Sequence, residues 1–305
     1  MDTTRKSILI ILSFFSIYVI WGSTYLLNKI AVQEIPPFYL ASIRFFCSAI
    51  LIMCIALLLK VSLKITFKQF KNSVIIGFLF LVYGNGVFVW ALKYVDSGFA
   101  ALIAATQPLF VILLMRVLNG FEIKTKAIIG VVLGLIGMYL LVSQDSLQLN
   151  EDSYIGITLM FTCILSWSYG SIFVSKADLP KSYLVATGYQ MIIASMILIV
   201  LSYSFNETWT APLSWSSNAQ WSMVLLIIFG GVVAFTAFNY LLKEVSTEKV
   251  ATSAYVNPVI ALFLGWYVLE EQLTTQSLVA AFILLLGVYF INSKKKFIPF
   301  SRLRK

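Results

Sequence analysis

Ten long apolar stretches, each about the length needed to cross a bilayer, follow one another along this chain. Their features recur after about 150 residues. Ala91-Leu92-Lys93-Tyr94-Val95-Asp96 returns as Leu241-Leu242-Lys243-Glu244-Val245-Ser246, and Gln107-Pro108 returns as Asn257-Pro258. Without a gap, Leu92/Leu242, Lys93/Lys243, Val95/Val245, Ala101/Ala251, Ala104/Ala254 and Pro108/Pro258 are identical pairs. A chain with this pattern is a duplication, so its fold must be built from two copies of one unit. A proline at the same place in both copies marks a paired interruption of a membrane helix, a recurrent sign of a solute-binding region.

The 305 residues are 60% hydrophobic and 11% charged, whereas a soluble domain carries roughly 25% charged residues. The net charge of +9 is therefore a matter of membrane orientation rather than of nucleic-acid binding. Histidine is absent, which removes the commonest metal ligand and general base. Cys47, Cys54 and Cys163 lie in apolar runs without metal-ligand spacing and read as buried structural thiols. Arg5 and Lys6 precede an apolar run that continues past Trp21 with no small-residue cleavage site, so a retained first helix is expected.

Spans are expected near residues 8–30, 38–59, 73–92, 97–118, 125–143, 154–174, 183–203, 220–242, 249–269 and 275–292. Placing the N-terminus inside puts 19 of the 22 Lys and Arg residues on that face and two, Lys29 and Lys93, on the other. That bias predicts cytoplasmic termini and supports an even count, because losing one span would reverse every later loop. Five spans per copy is an odd number, so the copies must be inverted, related by an axis in the membrane plane. The expected fold is an all-α integral membrane protein of ten transmembrane helices in two inverted five-helix repeats, 7–145 and 152–292, with a basic cytoplasmic tail at 293–305.

Pro108 and Pro258 are each expected mid-helix, where the missing N–H leaves the carbonyls of Ala104 and Ala254 unpaired. The result is either an ordinary kink or a hinge beside a cavity; Gln107 and Asn257, with donor and acceptor both, favour the hinge. Trp21 and Trp167 form a second matched pair, in Trp21-Gly-Ser-Thr and Trp167-Ser-Tyr-Gly-Ser. Each lies roughly 20 Å into its helix, too deep for an interfacial belt, and reads as helix packing or cavity lining. Tyr83-Gly84-Asn85-Gly86 puts a polar amide between two close-approach glycines, for lining or for interhelical bonding; Phe235, Thr236 and Asn239 are its counterpart. Arg44 is the one charge well inside a span and a candidate for a charge role, against snorkelling or loop anchoring; its equivalent lies near Gln190. Lys93 and Lys243 are expected to cap helix C-termini, with recruitment of an anionic solute as the second reading. Gly130, Gly134 and Gly137 share one face as a close-packing surface, within the chain or at a homodimer contact.

No Walker A pattern, His-Glu-x-x-His motif or mid-span carboxylate occurs, so neither ATP hydrolysis nor metalloproteolysis is supported and no cofactor is expected. Trp21-Gly-Ser-Thr, Pro36-Pro37 followed by Arg44-Phe45-Phe46, Gly84-Asn85-Gly86 with Trp90-Ala91-Leu92, Gln107-Pro108-Leu109, and Glu122 leading to Gly130–Gly137, with Asn257-Pro258 and Glu271 in the second copy, resemble the EamA repeat of the drug/metabolite transporter superfamily. The resemblance covers about residues 8–292. It implies ten helices around a central cavity open to one side at a time, and an inner-membrane exporter of amino acids, other metabolites or drugs. The chain departs where relatives often place an acid before the first proline and this one has Gln107.

Together these readings predict an alternating-access exporter of amino-acid-like or other small uncharged or zwitterionic metabolites. A passive channel, or more remotely a membrane-embedded transferase, is the alternative. Trp21, Asn85, Gln107, Trp167, Tyr255 and Asn257 are expected to line the cavity. The expected partners are the solute, the bilayer and, through the glycine face, a second copy, with no nucleic acid.

Overall fold

A computed structural model describes residues 3–91, 94, 103–143, 153–269 and 273–293. Each of the ten expected segments contains helix among its described residues, and no strand occurs among the described residues. Helix α1 runs as Thr3–Phe15, a π-helical turn Ser16–Ile20 and Trp21–Ala31. Helix α2 is Pro37–Leu58, and α3 is Phe67–Gly77, a π segment Phe78–Val87 and Phe88–Ala91. They are followed by α4, Gln107–Asn119; α5, Thr125–Val142; α6, Ser153–Lys176; and α7, Tyr183–Ser204. Helix α8 is Ser217–Leu225, a π segment Leu226–Phe235 and Thr236–Glu244. The turn Thr247–Val250 leads into α9, Ser253–Leu269, and α10 is Thr275–Asn292.

Seven of these helices are individually long and apolar enough to span a bilayer, while α4 and α5 are shorter apolar helices. Polarity is distributed for lipid outside and protein inside. Met196, Val200 and Phe282 are exposed near the middles of α7 and α10, whereas Ser48, Thr187, Gln190 and Asn239 are buried. Of the three cysteines only Cys163 is buried; Cys47 is half-buried and Cys54 faces outward. Burial was expected for all three. In a bilayer, however, an apolar run stays apolar on its lipid side too, so hydropathy does not separate inside from outside.

Packing follows the inverted symmetry. The most extensive pairings are α5 with α10 and α2 with α7, each joining a helix to its own counterpart. The remaining major contacts come in mates: α3 with α6 mirrors α8 with α1, and α4 with α6 mirrors α9 with α1. Every one of these contacts crosses from one half to the other. The halves are interleaved, and neither has a core of its own.

Glycines set the α5–α10 seam. A Cβ on Gly130 would fall 2.7 Å from the Gly287 carbonyl, and one on Gly287 would fall 2.7 Å from the Gly130 carbonyl. Tyr255 closes over Gly134, whose Cβ would meet the ring at 2.2 Å. The glycine face predicted from sequence is thus filled from within the chain and is not free to make a dimer contact.

Helix ends are also closed by side chains from other elements. Pro36 cannot cap α2 with a side chain, so Glu207 accepts from the Phe38 and Tyr39 N–H groups at 3.1 and 2.8 Å. Lys243 lies in the last turn of α8, where a cation was expected, and donates to Ala177 O, just past the end of α6, at 2.6 Å. Lys93 lies outside the described residues. Glu34 accepts from Ser216, the N-cap of α8, through its N–H at 2.9 Å and its hydroxyl, and these bonds hold the carboxyl below its ordinary value of 4.5.

Two outcomes follow. Gly134→Ala will lower the thermal unfolding midpoint of the purified protein, by overpacking worth about 1–3 kcal/mol. Tyr255→Ala will absorb part of that loss, so the double variant will be less destabilised than the sum of the two; strict additivity would remove the ring-on-glycine contact as a source of stability. Because the folded state holds the lower pKa, the Glu34 contribution is present above pH 4.5 and disappears as pH falls below it. Glu34→Gln should therefore flatten part of the acid-side fall in unfolding midpoint.

Candidate functional site at the crossing of the two halves

Trp21 of α1 and Trp167 of α6, the matched tryptophans, meet edge to face with ring centroids 6.0 Å apart. Phe80 of α3 sits 4.8 Å from Trp167, and Phe238 of α8 sits 4.9 Å from Trp21. Phe80 and Phe238 are 5.4 Å apart, which closes the ring of aromatics, and Phe235 packs at its edge. Each half thus contributes one indole and at least one phenyl. Such edge-on contacts are each worth about 0.5–1.5 kcal/mol beyond simple burial. Gly84 makes the approach feasible, since a Cβ there would lie 2.8 Å from the Trp167 ring.

The π segments supply geometry that an α-helix could not. At 3.6 residues per turn, Phe80 and Asn85 would point about 140° apart. In the i→i+5 register of residues Phe78–Val87, positions five apart lie about one turn above each other. Asn85 therefore stands over Phe80, toward the face opposite the N-terminus. Asn28 stands over Trp21 in the same way, seven residues or about 10 Å further along α1. Both amides are half-buried.

Arg44 joins them from α2. Its Nη1 donates to Asn28 Oδ1 at 3.1 Å and its Nη2 to Asn85 Oδ1 at 3.0 Å. The guanidinium lies 4.4 Å over the Phe45 ring and is buried. The counterpart in the other half is neutral: Asn239 Nδ2 donates to Gln190 Oε1 at 2.9 Å and to Thr187 Oγ1 at 3.1 Å.

On the N-terminal face of the aromatic ring, polar ties cross between the halves. Lys6 pairs with Glu244 at 2.6 Å and the Tyr18 hydroxyl meets Thr252 Oγ1 at 2.7 Å; within the second half, Tyr183 donates to the same Glu244 carboxylate at 3.1 Å. A cavity of about 180 Å³ bordered by Lys181, Tyr183, Asn239 and Lys243 lies on that side.

The paired prolines differ from expectation. Pro108 is not mid-helix: a turn at Ala105–Thr106 ends the preceding backbone, and Pro108 occupies the first turn of α4, where its missing N–H is not needed. Only Pro258 lies inside a helix. Gln107 opens α4 with a half-buried side chain, on the helix that packs against α6. With its amide nitrogen turned toward α1, Asn257 donates to Ile17 O at 3.0 Å, Tyr18 O at 3.1 Å and Ser253 O at 3.2 Å. It thereby staples α9 to the π turn below Trp21. Tyr255 sits apart from the tryptophans, against Gly134 in the α5–α10 core. Phe80, Phe238 and Asn28 were not singled out from sequence, although Asn28, two helical turns from Trp21, carried a readable signal.

The comparisons with known proteins agree across the whole chain. Residues 8–143 and 154–293 each match the model of the EamA-like transporter family. An uncharacterized inner membrane transporter of Escherichia coli K12, YedA, is 33% identical over 93% of this chain and 91% of its own. The uncharacterized transporter YoaV of Bacillus subtilis is 23% identical over 94% and 99%. A protein of known crystal structure superposes with a TM-score of 0.79 over 96% of this chain and 98% of its own, at 18% identity, a likeness of fold alone.

Asn257→Ala should lower the unfolding midpoint, by about 1 kcal/mol per carbonyl left unpaired. Asn257→Asp should lower it further in its ionised form, because a carboxylate cannot donate to those carbonyls. Equal midpoints for wild type and both variants would remove the staple.

Proposed function

Because the chain belongs to the EamA-like transporter family, we propose that it is a secondary transporter that exports amino-acid-like or other small uncharged or zwitterionic metabolites across the inner membrane by alternating access. The observation that carries this reading is the meeting of Trp21 and Trp167, from equivalent helices of inverted halves, at the crossing of the chain. A site shared by both halves is one that either face can reach when the halves exchange conformations. The aromatic surfaces suit the apolar part of a solute, and the half-buried amides of Asn28, Asn85 and Gln107 suit its polar end.

The polar ties on the N-terminal face support a carrier over an open channel. Lys6–Glu244 and Tyr18–Thr252 close that side beneath the packed aromatics, and both must part for release there. The π turns, the break at Ala105–Thr106 and the proline within α9 supply places where helices can bend without disturbing the glycine seam. The distribution of Lys and Arg assigns the N-terminal face to the cytoplasm, which makes those ties the inner gate.

Counterflow in proteoliposomes tests the proposal. Excess unlabelled solute inside should drive transient uphill uptake of labelled solute, and Trp21→Ala should reduce its rate at least about tenfold through loss of buried aromatic contact. Uptake that only equilibrates, with no overshoot, would point to a passive channel.

A further inference from the structure

The charged position in α2 is at odds with its surroundings. Arg44 is 7% exposed, its two hydrogen-bond partners among the described residues are neutral amides, and its buried Nε–H has no partner among them. The one ion pair recorded among the described residues is Lys6–Glu244, on the other face. An unpaired buried cation is expensive, and membrane proteins keep such groups where they meet a counter-charge in use. The other half shows that the fold does not need the charge. Gln190, like Arg44 seven residues into its helix, bonds to an asparagine near the end of the neighbouring helix just as Arg44 does. The same position in the second half thus carries no charge, although Gln190 Nε2 and Asn239 Oδ1 are themselves without a partner among the described residues. What Arg44 adds is charge, bonded to two amides of which Asn28 lies about 10 Å along α1 from Trp21.

We propose that Arg44 is the receptor for a carboxylate on the transported solute, so that the site takes carboxylate-bearing zwitterions or monoanions in preference to neutral analogues of the same shape. The inference rests on the transporter reading and narrows its substrate class. The apolar part of the solute lies on Trp21 and Trp167, and its carboxylate accepts from the guanidinium, including the free Nε–H, in a charge-assisted fork. The pseudo-equivalent Gln190 offers no such charge, so the site is polarised toward one face.

The test compares acids with their primary amides on the full-length protein in nanodiscs. Acetate, benzoate, L-leucine and L-phenylalanine are each set against the matching amide, with the thermal unfolding midpoint and tryptophan fluorescence as readouts. At least one acid should stabilise the wild type with about 10- to 100-fold higher affinity than its amide. Arg44→Gln, which copies the arrangement of the second half, should fold with an unliganded midpoint near or above that of wild type and lose the preference; Arg44→Lys should keep a reduced one. Equal affinity for acid and amide, no response to any acid, or an acid preference that survives Arg44→Gln would overturn the proposal. Binding needs no transport, so failure of counterflow leaves this result standing; conversely, counterflow of a neutral solute by the wild type would preserve the transporter reading if the acid preference failed.

Discussion

No backbone polar group can be left to water inside a bilayer, and this fold meets that constraint across the boundary between its halves. Where i→i+5 bonding returns to i→i+4, the helical ladder skips a carbonyl, and three helices contain such segments. In each, side chains from the other half reach the affected stretch. Asn257 reaches Ile17 and Tyr18, Ser166 donates to Leu79 O at 2.9 Å, and the Cys163 thiol meets Tyr83 O at 3.2 Å. From the first half, Trp21 donates to Gly230 O at 3.3 Å and Ser48 to Ile227 O at 3.0 Å. Irregular backbone is tolerated because its partner is supplied by the opposite repeat. Interleaving is thus a condition of the irregular helices, and the irregular helices are what aim Asn85 and the aromatics inward.

Two kinds of contact divide the labour. The α5–α10 seam is held by glycine backbones touching carbonyls, a contact with no intermediate position. The helices around the aromatic ring are held by hydroxyl, amide and indole bonds to carbonyls, which can be exchanged for bonds to solute or water. A rocking molecule needs both a part that stays and a part that lets go. The cavity near Lys243 and the bridged Glu244 lie on the part able to let go.

The architecture was largely legible because it rests on counts. The ten helices and the inverted pairing followed from apolar run length, charge asymmetry and an odd number of spans per copy. Trp21 and Trp167 were matched by depth alone, and their contact is what the structure adds. What could not be read was register. Hydropathy is insensitive to a single added residue per turn, so the π segments were invisible, and with them the placement of Asn85 over Phe80. For the same reason Pro108 was expected to kink a helix that instead begins beside it: a proline specifies a missing donor, which an interior kink and a first turn accommodate equally well. Tyr255 was drawn to the cavity by its nearness to Asn257. Two residues along a helix is slightly more than a half-turn, and that rotation carries it to Gly134 instead.

The unlike pair Arg44 and Gln190 has a consequence for how such a molecule can arise. A single five-helix unit pairing with an inverted copy of itself would carry the same residue at both positions, either two uncompensated arginines or none. One end could not become cationic without the other. Joining the copies in one chain released each position to change alone, and a charge could then be kept at one end and dropped at the other. The inequality that duplication made available is what allows a nearly symmetric body to treat its two faces differently.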